Sequence, residues 1–286
     1  MLRLALFVGT NLAVVFVLNL IITLLGLNQG TSWLPFLLMA GVMGMAGSFI
    51  SLMMSKSMAK RSMGAQVIEE PSSETERWLV DTVRRQAEAA GIGMPEVAIF
   101  QSPTPNAFAT GAKKHAALVA VSTGLLQHMN RDEVEAVLGH EVAHVANGDM
   151  VTLALVQGVL NTFVMVIARL ISSIVDGRRG GRHYGYSMTY MLAQTVLGFL
   201  ATIVVRWFSR YREFRADEGG ASLSSREKMI SALERLQGGG PSEPLPGQLR
   251  AFGISGGMLG NLGGLKRLFM THPPLEERIA ALRAGV

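Results

Sequence analysis

The string His140-Glu141-Val142-Ala143-His144 carries the most specific chemistry in the chain. Residues four apart on an α-helix share a face, so the two imidazoles can close on one zinc ion at ~2.0–2.1 Å, while the carboxylate between them can hold a water for attack on a carbonyl. The chain has no cysteine. Thiol catalysis, disulfide scaffolds and thiolate-held metal are therefore excluded, and only His, Asp and Glu remain as donors. A catalytic zinc takes three protein ligands and keeps one position open, so a third donor is required. Glu213 and Asp217, in Glu213-Phe-Arg-Ala-Asp217, share a face if the apolar helix before them continues. Glu213 would then reach the metal, and Asp217 would accept the Nδ1–H of a ligating histidine. The same pair also reads as exposed carboxylates salt-bridged to Arg210, Arg212 or Arg215, and spacing alone leaves both readings open.

The helix that must present the string is well signalled. Asn130 is a good N-cap, Glu133 completes an approximate capping box, and apolar positions recur until Gly148. The charges of Asn130-Arg-Asp-Glu133 and Glu135 put the string at a wet helix end, which disfavours a protease that cuts inside the bilayer. A scaffold or transporter with structural zinc would need a closed set of four ligands, and a fourth is not evident.

The elements around that helix are those of a membrane protein. Of 286 residues only 16% are charged and 49% are hydrophobic, with mean hydropathy +0.32, against about 25% charge in an ordinary globular chain. Runs 4–27, 33–55, 150–168 and 187–205 contain no charged residue, and each is long enough to span a hydrocarbon core of ~30 Å. The first run is too long for a secretory signal, and 1–55 reads as an uncleaved hairpin. The net charge of +5 lies mainly beside the apolar runs, which points to anionic lipid headgroups and away from nucleic acid. The arginines of 178–182 read as a solvated or headgroup-facing loop. Lys56, Lys60 and Arg61 place the segments 56–149 and 206–286 in the cytoplasm, although Arg178, Arg179 and Arg182 run against that orientation. The two segments form one catalytic domain interrupted by a second hairpin, 150–205. Within them a helix from Glu74 to Ala90, strands at Val97 to Phe100 and Ala116 to Val121, and a Gly-rich loop at 238–264 are expected. The fold class is thus an α+β integral membrane protein: four mostly helical spans plus a mainly α zinc-metalloprotease domain with a small β-sheet.

The chain resembles the bacterial membrane-embedded zinc endopeptidases related to the CAAX-prenyl endopeptidases. The likeness runs along nearly its whole length: the two N-terminal spans, Pro105-Asn106-Ala107-Phe108, the helix from Arg131 to Asp149, the hairpin, the Glu213 to Asp217 string, and Thr271-His272-Pro273-Pro274-Leu-Glu-Glu-Arg278. It implies one zinc per chain held by His140, His144 and Glu213, with Asp217 behind a histidine and Glu141 as general base. It also implies that Asn106 and Ala107 bind an extended peptide, and that His272 and Arg278 stabilise the oxyanion or orient the site. The implied enzyme is a zinc-dependent endopeptidase of the bacterial inner membrane, facing the cytoplasm, that degrades misfolded or damaged membrane proteins under stress. Its partners would be polypeptides and the lipid bilayer, with no nucleic acid; the sequence leaves the oligomeric state open. His115, His128 and His183 lack a partner at ligand spacing and receive no role.

Overall fold

Among the described residues, four helices are long and apolar enough to cross a membrane, Phe7–Leu24, Leu34–Met63, Asp149–Val175 and Met188–Leu223, with mean hydropathy between 1.7 and 2.2. In the computed structural model, which describes residues 2–26, 33–178, 187–238, 270 and 272–285, they belong to helices α1 (Leu2–Leu24), α2 (Leu34–Met63), α6 (Asp149–Arg178) and α7 (Met188–Leu223). Packing divides the chain into two units, one of residues 1–51 and 151–205, the other of residues 52–150 and 206–286. The tip of the second hairpin and the Gly-rich loop lie outside the described residues.

The first unit is a bundle whose apolar surface faces outward, as expected where lipid replaces water. Leu12, Phe16, Val42, Met43, Leu192 and Phe199 are all more than half exposed. Inside, Val15, Leu18 and Ile22 of α1 pack with Leu37 and Ala40 of α2 and Val166 of α6. Small residues set the α2–α6 distance: a Cβ on Gly158 would stand 2.5 Å from Met45 Sδ and 2.6 Å from Ser48 Oγ. Hydroxyls in this layer return to their own helix, Ser48 Oγ donating to Met45 O at 3.0 Å and Thr162 Oγ1 to Gly158 O at 3.0 Å. The third helix runs beyond the charge-free 150–168 and through Arg169, whose guanidinium lies over the Phe36 ring at 5.8 Å.

The second unit is built on a four-stranded sheet of order β1-β2-β4-β3, from β1 (Gln66–Val67), β2 (Glu96–Phe100), β3 (Ala107–Thr110) and β4 (Leu118–Ser122). β2 and β4 run parallel, Val97 opposite Val119, and β3 returns antiparallel on the far side of β4, Phe108 opposite Ala120. One face, with Ala98, Phe100, Phe108, Leu118 and Ala120, packs on Ala59 and Met63 of α2. The alternate residues Val97, Val119, Val121, Ala107 and Ala109 are buried too, and helices α3 (Glu74–Ala89) and α5 (Arg131–Asn147) lie against the sheet. Lys56 and Lys60 on α2 both pair with Glu96, and Lys56 Nζ donates to Ala116 O at 3.0 Å. Residues that read as topology signals thus also tie α2 to the sheet.

Helix α5 is closed at both ends by its own sequence. Asn130 Oδ1 accepts from Glu133 N at 2.9 Å, Glu133 Oε2 accepts from Asn130 N at 2.9 Å, and Gly148 ends the helix in the left-handed region at φ 73°. After α4 (Thr123–His128) and α5, the unit is completed by the end of α7, α8 (Arg226–Gly238) and α9 (Leu275–Ala284). Helix α7 crosses α5 at backbone contact: a Cβ on Gly220 would lie 2.9 Å from His140 N and 3.1 Å from its Cα. Gly220→Ala should therefore lower the melting temperature in detergent, at a cost of about 1–3 kcal/mol, whereas Gly198→Ala, with nothing within 4 Å, should not. Equal melting temperatures for the two variants would contradict the close crossing.

Candidate metal centre

The 36-residue helix α7 would be about 54 Å long, well beyond a ~30 Å hydrocarbon core. Its charged second half carries Arg210, Arg212, Glu213, Arg215 and Asp217 on the continuous helix that the shared-face reading needed. Because Gly220 brings α7 onto α5, Glu213 and Asp217 meet the two histidines. His140 Nε2 stands 3.6 Å from Glu213 Oε2, and His144 Nε2 stands 3.5 Å from Glu213 Oε1. One potential ligand atom from each of His140, His144 and Glu213 lies within 4.8 Å of the others. All three are at least nine-tenths buried, and Glu213 and Asp217 are each 1% exposed. That burial removes the reading of an exposed carboxylate pair.

The far side of each imidazole is occupied. Asp217 Oδ1 is 2.9 Å from His140 Nδ1, and Asp149 Oδ2 is 2.6 Å from His144 Nδ1. Both Nε2 atoms are therefore left facing Glu213, and His140 Nε2, fully buried, has no hydrogen-bond partner. Buried imidazoles of this kind fit a divalent cation: both Nδ1–H groups donate to carboxylates, and both Nε2 atoms converge on a third carboxylate, where a cation would replace any proton they carry. Among the described residues this is a set of three donors. That number suits an open catalytic site and falls short of a closed structural one.

Two residues from the chain's end complete the cluster. His272 donates from Nδ1 to Glu213 Oε2 at 2.6 Å, and its Nε2 has no partner. Arg278, 0% exposed, donates from Nε to Asp217 Oδ2 at 2.7 Å and from Nη2 to Oδ1 at 2.5 Å. Its Nη1 lies 3.6 Å from Glu213 Oε2 and is otherwise unpartnered. His272 does not cap α9, whose N-cap is Pro274 without a side-chain bond.

Burial sets the electrostatics. It pushes the Glu141 carboxyl above its ordinary range, an effect partly offset by His140 and His144. For the two histidines burial alone would lower the pKa, but carboxylates outweigh it: Asp217 and Glu213 raise His140, and Asp149 and Glu213 lift His144 to about 10. His272 moves the other way, because burial exceeds the pull of Glu213. Arg278 is held firmly protonated, the Asp217 and Glu213 carboxylates overcoming its burial.

The sheet supplies an edge beside this centre. Asn106 is buried just before β3, its N–H donating to Ser122 Oγ at 2.9 Å and its Oδ1 unpartnered. Ser122 N donates to Asn106 O at 2.9 Å, which fixes the phase of the ladder. Residues 106, 108 and 110 face β4, so the amides and carbonyls of Ala107 and Ala109 turn to the other side, where no strand pairs among the described residues. Of the site residues expected from the sequence, His140, His144, Asp217, His272 and Arg278 thus lie in one network around Glu213, Glu141 is buried beside its ligating neighbours, and Asn106 and Ala107 begin the adjacent edge. Sequence reasoning overlooked the pairing of Asp149 with His144 and the buried Arg212; only the helix start after Gly148 hinted at Asp149.

Comparison with known proteins agrees with this geometry. The model of peptidase family M48 matches residues 73–286. The chain is 60% identical to Protease HtpX of Xanthomonas campestris pv. campestris (strain 8004) over 288 residues, covering 99% of this chain and 97% of that protein. It is 59% identical, with the same coverage, to Protease HtpX of Xanthomonas oryzae pv. oryzae (strain MAFF 311018). The fold is similar to the crystal structure of S. mikatae Ste24p, with TM-score 0.62 and 17% identity over 98% of this chain, which spans 64% of that longer chain. A His-Glu-x-x-His helix faced by a buried glutamate, a small mixed sheet and four membrane-length helices are thus joined in a multi-pass membrane protein that belongs to peptidase family M48.

Proposed function

We propose that the protein is a zinc-dependent endopeptidase of the bacterial inner membrane, with its site facing the cytoplasm, that hydrolyses misfolded or damaged membrane proteins. The observation that carries the zinc assignment is the convergence of the His140 and His144 Nε2 atoms on Glu213 while both Nδ1 atoms are held by carboxylates. Nitrogen and carboxylate donors without sulfur suit zinc, one ion per chain. His140, His144 and Glu213 would hold it, and when bound it would polarise the scissile carbonyl and acidify water towards a pKa of ~7.

The chain's own groups then divide the work. Glu141, buried with both carboxylate oxygens free of hydrogen-bond partners, takes the proton of the attacking water and returns it to the leaving amine. Its raised pKa suits that double role. Asp217 keeps the His140 ring in register. His272, whose burial lowers its pKa, donates an Nδ1–H hydrogen bond to Glu213 and so orients that carboxylate. Arg278 is the remaining cationic donor, and its free Nη1 serves the developing oxyanion. Asn106 and Ala107 receive an extended substrate as an added strand, whose main-chain hydrogen bonds ask for little sequence preference. Selection would then rest on which segments are unfolded near the membrane surface, which supports a quality-control role.

Glu141→Gln should retain about one zinc per chain while cleavage of an unfolded substrate falls by about 10²–10⁴-fold; metal analysis and a cleavage assay on the purified protein measure both, and normal turnover would sink the mechanism. Glu213→Ala should lose zinc, whereas Asp217→Asn should weaken binding only ~10–100-fold; unchanged affinity in Glu213→Ala would remove that residue from the site.

The composite site also fixes topology, because α5 and the end of α7 must share one side of the membrane. In this cysteine-free chain, single cysteines at Ser73 and Ser222 should resist a membrane-impermeant thiol reagent in intact cells and react after lysis. Labelling of the two from opposite sides would be incompatible with the proposed centre.

A further inference from the structure

Asp149 is an acidic residue at the first position of α6, where a favourable charge at a helix start would explain it. The contacts it makes ask for more. Its Oδ2 lies 2.6 Å from His144 Nδ1, with both residues buried, at 6% and 8% exposure. The residue is also tethered at its backbone: Arg212, 4% exposed, donates from Nη1 to Asp149 O at 2.8 Å and from Nη2 to Ser209 Oγ at 3.3 Å. Arg212 precedes Glu213 in the chain, so this guanidinium links the start of α6 to the turn of α7 that presents the third carboxylate. Gly148, in the left-handed conformation, provides the reversal that lets Asp149 fold back onto the histidine five residues earlier.

Resting on the zinc reading above, we propose that Asp149 is a positioning residue for His144, and that Arg212 keeps it in place. The Asp149 carboxylate accepts the Nδ1–H hydrogen bond, which fixes the ring plane and keeps Nε2 directed at Glu213. It parallels what Asp217 does for His140, with a difference in anchoring. Asp217 is clamped through its carboxylate by Arg278, whereas Asp149 is held through its main chain. Arg212 also feels the Asp149 carboxylate, but its hydrogen bond goes to the main chain, and the carboxylate contact goes to the imidazole. Removing that charge should weaken the metal more than removing Arg212, which only locates it.

The test uses the full-length protein in detergent, with zinc affinity from chelator competition and melting of the metal-free form as a second readout. Asp149→Asn should weaken zinc by about 10–100-fold with the metal-free melting temperature unchanged, and Arg212→Met should weaken it less. The cycle with His144→Ala isolates the route of the effect. If Asp149 acts through His144, Asp149→Asn costs nothing further once the imidazole is gone, whatever happens to melting. Unchanged affinity in Asp149→Asn, or an undiminished loss on the His144→Ala background, would overturn the proposal. If His144→Ala itself binds zinc as the wild type does, it is the zinc reading that fails.

Discussion

The arrangement depends on how closely helices α5 and α7 approach. Gly139 and Gly220 face each other with no side chain between them, and a methyl group on Gly220 would reach the backbone of His140 itself. One turn further along the contact, a Cβ on Gly219 would stand 2.6 Å from the Cβ of Ala143. Only at that separation can a glutamate side chain on α7 span to two imidazoles on α5 while an aspartate one turn later backs one of them. Glycine in the middle of a helix costs about 1 kcal/mol against alanine. Here that local cost is offset by a crossing no larger residue permits.

The same approach creates an electrostatic problem. Glu141, Asp149, Glu213 and Asp217 all lie buried within one cluster, and uncompensated carboxylates would be several kcal/mol too costly. Arg212, Arg278 and the histidines answer them, with Arg278 bridging Asp217 and Glu213. Breaking any one pair leaves a bare buried charge, so the network fixes geometry more than it adds stability. The atoms it leaves without hydrogen-bond partners are informative, and they include both Glu141 oxygens, His140 Nε2, His272 Nε2 and Arg278 Nη1. Those are the atoms a cation, a water and a substrate carbonyl would engage.

Much of this was legible in the sequence because it is local. The paired histidines, the Asn130–Glu133 box, the stop at Gly148 and the charge-free spans each follow from residues within a turn or a run of one another. The continuation of α7 past its apolar run could be stated only as a condition, yet it brought Glu213 and Asp217 to one face. What could not be read depends on distant packing. Burial of Arg278 arises because α9, about 60 residues beyond Asp217, packs back onto the site. The parallel pairing of β2 with β4 is invisible in the apolar runs Val97 to Phe100 and Ala116 to Val121, and two-residue β1 carries no pattern. Asp149 follows the stop at Gly148 with no sequence sign of its partner, because that contact depends on the sharp reversal there.

The central claim is that one ion is held by two imidazole nitrogens and one carboxylate, with a position left open for water. X-ray absorption at the zinc edge, on the purified full-length protein loaded with one equivalent of zinc, reads that shell directly. The account predicts two nitrogen scatterers of imidazole type at ~2.0–2.1 Å and two oxygen scatterers at ~2.0–2.2 Å, one from Glu213 and one from water. A third imidazole in the shell, or an all-oxygen shell without imidazole, would contradict it.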